Sequence, residues 1–233
     1  HRVERVYEAF LQSDRTAMSI YSSCIVIDSN GADVRTVPIL AGSESAEALI
    51  AEGSFVYGCS HAWHRAVFEK FGPLPIGVGQ EDEVIPFRSL LLGTIARIEE
   101  PLVRYRLHES NLSLDYRKVA DNEVELQELY SIQFANRLDN LRCYLKDLEK
   151  CRGDLPESSR ERMRRMLLKH IKHGELEMAF RRGNLGEKLN VILKGGAQGV
   201  GSEDLLKWLF RIILPGAYLR YSYYKYRKRL VTR

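Results

Sequence analysis

Met18-Ser-Ile-Tyr-Ser-Ser-Cys-Ile-Val-Ile27, followed at once by Asp28-Ser-Asn-Gly31, is the stretch on which the fold turns. The first ten residues are rich in β-branched side chains and predict a strand. The next four are turn chemistry, with Asn30-Gly31 as the strongest signal. Asp33 to Ile39 predicts a short returning strand. Upstream, Val3, Val6, Tyr7, Phe10 and Leu11 recur at helical spacing and predict a helix over 2–12.

Downstream, residues 44–52 predict a short helix capped by Ser43 or Ser45. Phe55-Val-Tyr-Gly58 leads to a helix from Ala62 to Phe71, stopped by Gly72-Pro73. Pro73 to Gln80 holds two prolines and two glycines and predicts a loop. That loop delivers Glu81-Asp82 to a helix over 83–92, where acidic residues suit the macrodipole. Strands are predicted at Thr94–Ile98 and Leu102–Leu107, then a polar loop over 108–114. From about residue 117 the alternation ends. Leu126, Tyr130, Phe134, Leu138, Leu141, Leu145 and Leu148 make one long amphipathic helix, broken by Gly153, Asp154 and Pro156. A second helix runs from Ser158 to Arg182 and a third element spans 187–194. A glycine-rich link then leads to Leu205–Leu214, which Pro215-Gly216 breaks. No internal repeat is present.

The chain has 233 residues, one to one and a half domains' worth, and its 45% hydrophobic content is enough for a core. No run of eighteen apolar residues predicts a membrane span. Cys24, Cys59, Cys143 and Cys151 show no metal-binding spacing, and free thiols fit a reducing, cytoplasmic compartment. The net charge of +4 is unevenly spread: from Arg211 onward there are seven basic residues and no acidic one, and removing them leaves −3. That tail mixes Trp208 and five tyrosines from Tyr218 to Tyr226 with its cations, the make-up of a segment lying on a membrane surface over 205–230. Packing on the helical bundle is the competing expectation. The cations are too few and unframed for nucleic acid.

Three pieces of sequence, in order, resemble family-2 glycosyltransferases. They are Gly58-Cys-Ser-His-Ala-Trp-His-Arg-Ala-Val-Phe-Glu-Lys-Phe-Gly72, then Glu81-Asp82, then Glu100-Pro-Leu-Val-Arg-Tyr-Arg-Leu-His-Glu-Ser-Asn-Leu-Ser113. Tyr21 to Gly31 is similar to the family's strand and turn upstream of them. A dipeptide such as Glu81-Asp82 carries little alone, since it recurs at Glu203-Asp204; the ordered set carries the resemblance. It covers about residues 1–115. It implies an α/β fold, the carboxy-terminal, acceptor-side half of a Rossmann-like GT-A domain (1–115), followed by a helical bundle region (116–202) and a basic-aromatic tail (203–233). The family's nucleotide-binding region, with its DxD-like acidic motif, has no counterpart here. With His1 in first place, this leads us to expect a gene that starts upstream.

The resemblance implies inverting transfer of a sugar from a nucleotide-sugar donor to a glycan or lipid-linked acceptor, in bacterial surface-polysaccharide assembly on the cytoplasmic membrane face. It implies a divalent cation, Mn²⁺ or Mg²⁺, whose main ligands would lie outside this chain. Asp82 is the expected catalytic base, against a plain helix-capping carboxylate, and Glu81 positions the acceptor or Asp82. Gly58, Ser60 and Arg106 are expected to bind donor or acceptor; for Ser60 with His61 the alternative is a capped helix start, and for Arg106 the strand's outer face. His108 is expected at the metal or diphosphate, or as a loop-organising residue. Trp63 and His64 read as packing residues, and His170 with His173 as a solvated face. The non-enzymatic alternative is a module whose helical tail mediates homo-oligomerisation or scaffolding.

Overall fold

The computed structural model describes residues 1–39, 44–53, 56–108 and 123–231, with side chains for all of these except 123 and 226–231. Ser43, Phe55, residues 109–114 and the boundary expected near 115 lie outside the described residues. The chain divides into two units, His1–Asn111 with Asp139–His170, and Leu112–Leu138 with Ile171–Arg233.

In the first unit, α1 (Arg2–Gln12) leads into β1 (Ala17–Ile27), the central strand. β4 (Thr94–Arg106) runs parallel to β1 along its whole length, from Ala17 opposite Thr94 to Ile27 opposite Arg106. β2 (Asp33–Val37) pairs antiparallel with residues 24–27 of β1, and β3 (Ala62–Trp63) with Ser19 and Ile20. Since β4 fills one edge of β1, β2 and β3 share the other edge end to end. β1 is accordingly buried almost throughout. Ala17, Ile20 and Ile98 pack under Val6 and Phe10 of α1, while Cys24, Val26 and Val37 pack with Cys59, Val103 and Tyr105.

Two expectations are corrected here. The two strands predicted at 94–98 and 102–107 are a single strand, β4. Its register slips where Ile98 faces Ser22 and Pro101 faces Ser23, so Glu99 and Glu100 are accommodated without a break. Pro101 is tolerated because β4 pairs with β1 alone among the described residues, and an edge strand can lack a donor. The helix predicted over 62–71 is shorter, α3 (Ala66–Phe71). Its first part is diverted: Gly58–Ser60 form a 3₁₀ turn, Ala62 and Trp63 join the sheet, and the His64 N–H donates to the Met18 carbonyl at 2.8 Å. α2 (Ala46–Glu52) is capped by Ser45, whose hydroxyl accepts from Ala48 N–H at 3.0 Å.

α4 (Glu81–Leu92) begins two residues earlier than predicted and so takes in Glu81 and Asp82. Only Gly93 separates it from β4, so α4 must fold straight back on the sheet, where it packs on β1 and β4. Its first turn therefore lies toward the carboxyl ends of the parallel pair. Gly93 is required at that corner: a Cβ there would meet the Thr16 carbonyl oxygen at 2.4 Å, beside the bond from Thr94 N–H to the same oxygen. Gly93→Ala is expected to cost about 1–3 kcal/mol, seen as a lower urea midpoint; an unchanged midpoint would show that the corner relaxes freely.

The first unit is completed by helical residues. α5 (Glu123–Lys150) and α6 (Glu157–Arg182) contribute residues 139–170. Tyr144 stacks on Phe87 with centroids 4.1 Å apart, and its hydroxyl donates to the Glu83 carbonyl. Arg88 and Asp147, 1% and 2% exposed, pair at 2.6 Å. Lys150 donates to the Phe71 carbonyl, and Lys70 pairs with Asp154.

The second unit is helical: α7 (Leu185–Ala197), α8 (Ser202–Ile213) and α9 (Pro215–Val231), with α5 up to Leu138 and α6 from Ile171. Asn184 and Glu187 form a capping box at the start of α7. Gly195 and Gly196, predicted as link, are helical. Gly195 lies where a Cβ would stand 3.0 Å from Trp208 Cζ3, so its lack of a side chain lets the indole pack. Trp208 is 2% exposed, stacks on Phe180 and His173, and donates to Glu177 at 2.5 Å. His173 is thus ring-packed and not on a solvated face. Pro215 starts a new helix, where its missing N–H costs nothing.

Candidate active site at the start of α4

Asp82 sits in the first turn of α4, half-buried, between Glu81 and Glu83. Burial first, then the negative charges of Glu81 and Glu83, push its carboxyl up to about 6; backbone N–H groups of Gly58 and Asp82 act against this. This is the environment that makes a carboxylate a competent proton acceptor near neutral pH. Pro86 supplies no N–H to the Asp82 carbonyl four residues back, so the helix is loosened where the acid sits.

Gly58 and the acidic pair, expected separately from the sequence, come together. A Cβ on Gly58 would stand 2.7 Å from Glu81 Oε1 and 3.3 Å from Asp82 Cβ. Gly58 opens the 3₁₀ turn, and the Glu81 and Asp82 side chains approach its backbone. Gly58→Ala is expected to push the exposed Glu81 carboxylate outward. The charge raising Asp82 then weakens, and its carboxyl titrates below about 6. NMR titration of the side-chain carboxyl reads this; an unmoved titration would separate Gly58 from the acid.

Ser60 is buried, and its hydroxyl donates to the Tyr57 carbonyl at 3.0 Å, closing the turn. His61 is 6% exposed with Nε2 lacking a hydrogen-bond partner among the described residues, and burial pulls its pKa down to about 4, so it stays neutral. His64 is exposed; its Nδ1 accepts from Ala66 N–H and caps α3. Trp63 is 39% exposed, against the tilted rings of His61 and Phe68. Arg106 ends β4 and donates to the Asp28 and Ser29 carbonyls at 3.3 and 2.8 Å, bracing the turn in which Gly31 has φ 89°. His108 is exposed just beyond β4. Among the described residues no group of three His, Cys, Asp or Glu side chains is arranged to hold a metal.

Glu83 was not singled out by sequence reasoning. It is 8% exposed, its Oε2 accepts from Asn140 Nδ2 at 2.9 Å, and its carbonyl accepts from the Tyr144 hydroxyl. It anchors the start of α4 to α5, and so holds Asp82 in place. The third acid in a row was the only hint, and it looks like another dipole charge.

No family model, curated protein or solved structure matches this chain. The class the structure defines is α/β: a small mixed four-stranded sheet carrying an acidic helix start, with a largely helical remainder.

Proposed function

We propose that this chain is the acceptor-side part of an inverting glycosyltransferase, with Asp82 as the base. The observation that supports it most is the Asp82 carboxyl, raised to about 6, in a helix start beside Gly58 and toward the carboxyl ends of β1 and β4, where open α/β sheets bind ligands. The sequence resemblance supports the same residue. The acceptor hydroxyl oxygen bonds to the anomeric carbon of a nucleotide-sugar. The bond from that carbon to the diphosphate breaks, and the nucleoside diphosphate leaves with the electron pair. Asp82 takes the hydroxyl proton. Glu81, at its side, keeps the acid basic and is available to the acceptor. The described residues do not fit a self-contained Mn²⁺ or Mg²⁺ site, so the chemistry assigned to this chain is the proton transfer.

A membrane-surface setting is part of the proposal. Among the described residues no helix is long and apolar enough to cross a bilayer. Leu206, Phe210 and Ile213 of α8 are nonetheless exposed at helical spacing, on the side away from Trp208. α9 adds exposed Tyr221 and Tyr224, with Lys225 near the Tyr221 ring. Trp208 itself is core, not an interfacial anchor. Leu185, Leu189 and Leu193 form a similar stripe on α7, and this favours the second reading, a module that self-associates through its helices.

The test is consumption of nucleotide-sugars by the full-length gene product with Mn²⁺ or Mg²⁺, with glycan acceptors if water is too poor a one. Donor turnover that depends on Asp82 supports the transferase. Absence of donor binding, together with concentration-dependent self-association, would move the assignment to the module.

A further inference from the structure

Where α8 meets α9, the second unit encloses a half-open cavity of about 230 Å³. Its lining includes Arg181, Lys188 and Arg211, the rings of Phe180 and Tyr218, and the amide of Gln127. The charges do not balance. Glu177 is buried, and its Oε1 lies 2.7 Å from both Arg181 Nε and Arg211 Nη1, while Oε2 accepts from the Trp208 indole. One carboxylate, already shared with an indole, therefore serves two guanidinium groups. Lys188 has no carboxylate partner among the described residues; its ammonium stands 5.8 Å from the Phe180 ring centroid.

On the same wall the Gln127 Nε2 donor is buried without an acceptor among the described residues, its amide oxygen being turned to Arg181 Nη1 at 3.4 Å. Arg181, 9% exposed, has only the Glu177 oxygen that it shares with Arg211 as a counter-charge among the described residues. Buried donors left unmade are costly, and so is a desolvated cation without its counter-charge. Burial pulls the Arg181 pKa down; the Glu177 charge works against this, and neighbouring Arg211 adds to it. The arrangement lacks one anion.

We propose that this cavity binds a phosphate-bearing anion, a phosphomonoester or a diphosphate, through Arg181, Lys188 and Arg211. After Glu177 is counted, the three cations leave two positive charges, matched by a dianion and not by a simple carboxylate. Guanidinium forks suit phosphate oxygens, and lysine adds a point charge. The rings of Phe180 and Tyr218 offer an apolar wall to whatever organic group the phosphate carries. The volume is below that of drug-sized sites, roughly 300–1,000 Å³, and suits a headgroup. This site is independent of the chemistry proposed for Asp82.

The experiment is calorimetric titration of the full chain with inorganic pyrophosphate, alongside sedimentation with phosphatidylcholine vesicles with and without phosphatidic acid. One pyrophosphate per chain is expected. Lys188→Glu should weaken it by roughly tenfold or more, with Lys188→Gln between, and circular dichroism unchanged because Lys188 makes only the ring contact. Lys194→Glu, exposed on the same helix and outside the cavity lining, should bind as wild type. Lys188-dependent gain on phosphatidic acid vesicles identifies a lipid headgroup; Lys188-dependent pyrophosphate binding without that gain identifies a soluble phosphoester. Binding of neither probe, or equal losses in Lys188→Glu and Lys194→Glu, overturns the proposal.

Discussion

Asp82→Asn is expected to lower sugar transfer by roughly 10²–10⁴-fold while leaving donor binding in place. The amide keeps the shape of the carboxylate and cannot take the acceptor proton. In the wild type, activity should rise with pH through about 6 and level off above it, because the base works only when ionised. The same substitution should not unfold the protein; its effect on stability has the opposite sign. The folded-state carboxyl titrates near 6, above its ordinary value of 3.8. Its contribution to stability is therefore full below about pH 4 and is lost as pH rises through 6. At pH 8 the wild type holds a disfavoured charge that the Asn variant lacks. Asp82→Asn should then be the more stable protein, by something on the order of 2 kcal/mol at pH 8, with the difference closing toward pH 4. Steady-state rates with paired urea titrations at the two pH values check both halves. Equal turnover in the two proteins would remove Asp82 from the mechanism.

The largest effect on stability is expected at Arg88 and Asp147. Both are almost wholly buried; Arg88 Nε donates to Asp147 Oδ2 at 2.6 Å, and Nη1 donates to the Gly72 carbonyl at 2.9 Å. The guanidinium also lies over the Phe71 ring, 5.4 Å from its centroid. Asp147→Ala leaves a desolvated cation with one carbonyl, and should cost about 3–5 kcal/mol. Arg88→Met leaves a buried carboxylate whose nearest remaining cation is Lys150 at 3.6 Å, so its cost should be somewhat smaller. The double variant Arg88→Met with Asp147→Leu should recover most of the loss, since neither charge is then stranded. Urea unfolding of the wild type, Arg88→Met, Asp147→Leu and the double variant gives the coupling directly; additive losses would mean that the pair is not the link between α4 and α5. This pair also bears on the site, because Arg88 stands on the helix that presents Asp82.

Strand β1 and the turn after it were legible from residues alone, since a β-branched run closed by Asn30-Gly31 has few other solutions. So were α1, by its apolar spacing, α4, by its acidic start and Gly93, and the long helices, by periodicity and by glycine or proline stops. Glu81 and Asp82 were candidates through the ordered motifs of the sequence resemblance, with the proline- and glycine-bounded loop placing them at a helix start. What local sequence left open was set by long-range pairing. Residues 62–63 carry helical-looking sequence but extend the edge of β1, where backbone groups need partners. Glu99 to Pro101 look like a break, yet a register slip against Ser22 and Ser23 carries the strand through. Glu83 looks like a third dipole charge, and only the arrival of Asn140 and Tyr144, more than fifty residues later, makes it an anchor. Arg106 could be read as ligand-facing or outer-face from sequence, and only the pairing of β4 with β1 brings it to the Asp28 and Ser29 carbonyls. The sequence by itself determined the central strand and its turn, the main helices and which acids stand at a helix start. The tertiary structure alone decided which of those charges lose water, and burial is what separates a solvated carboxylate from one raised to about 6.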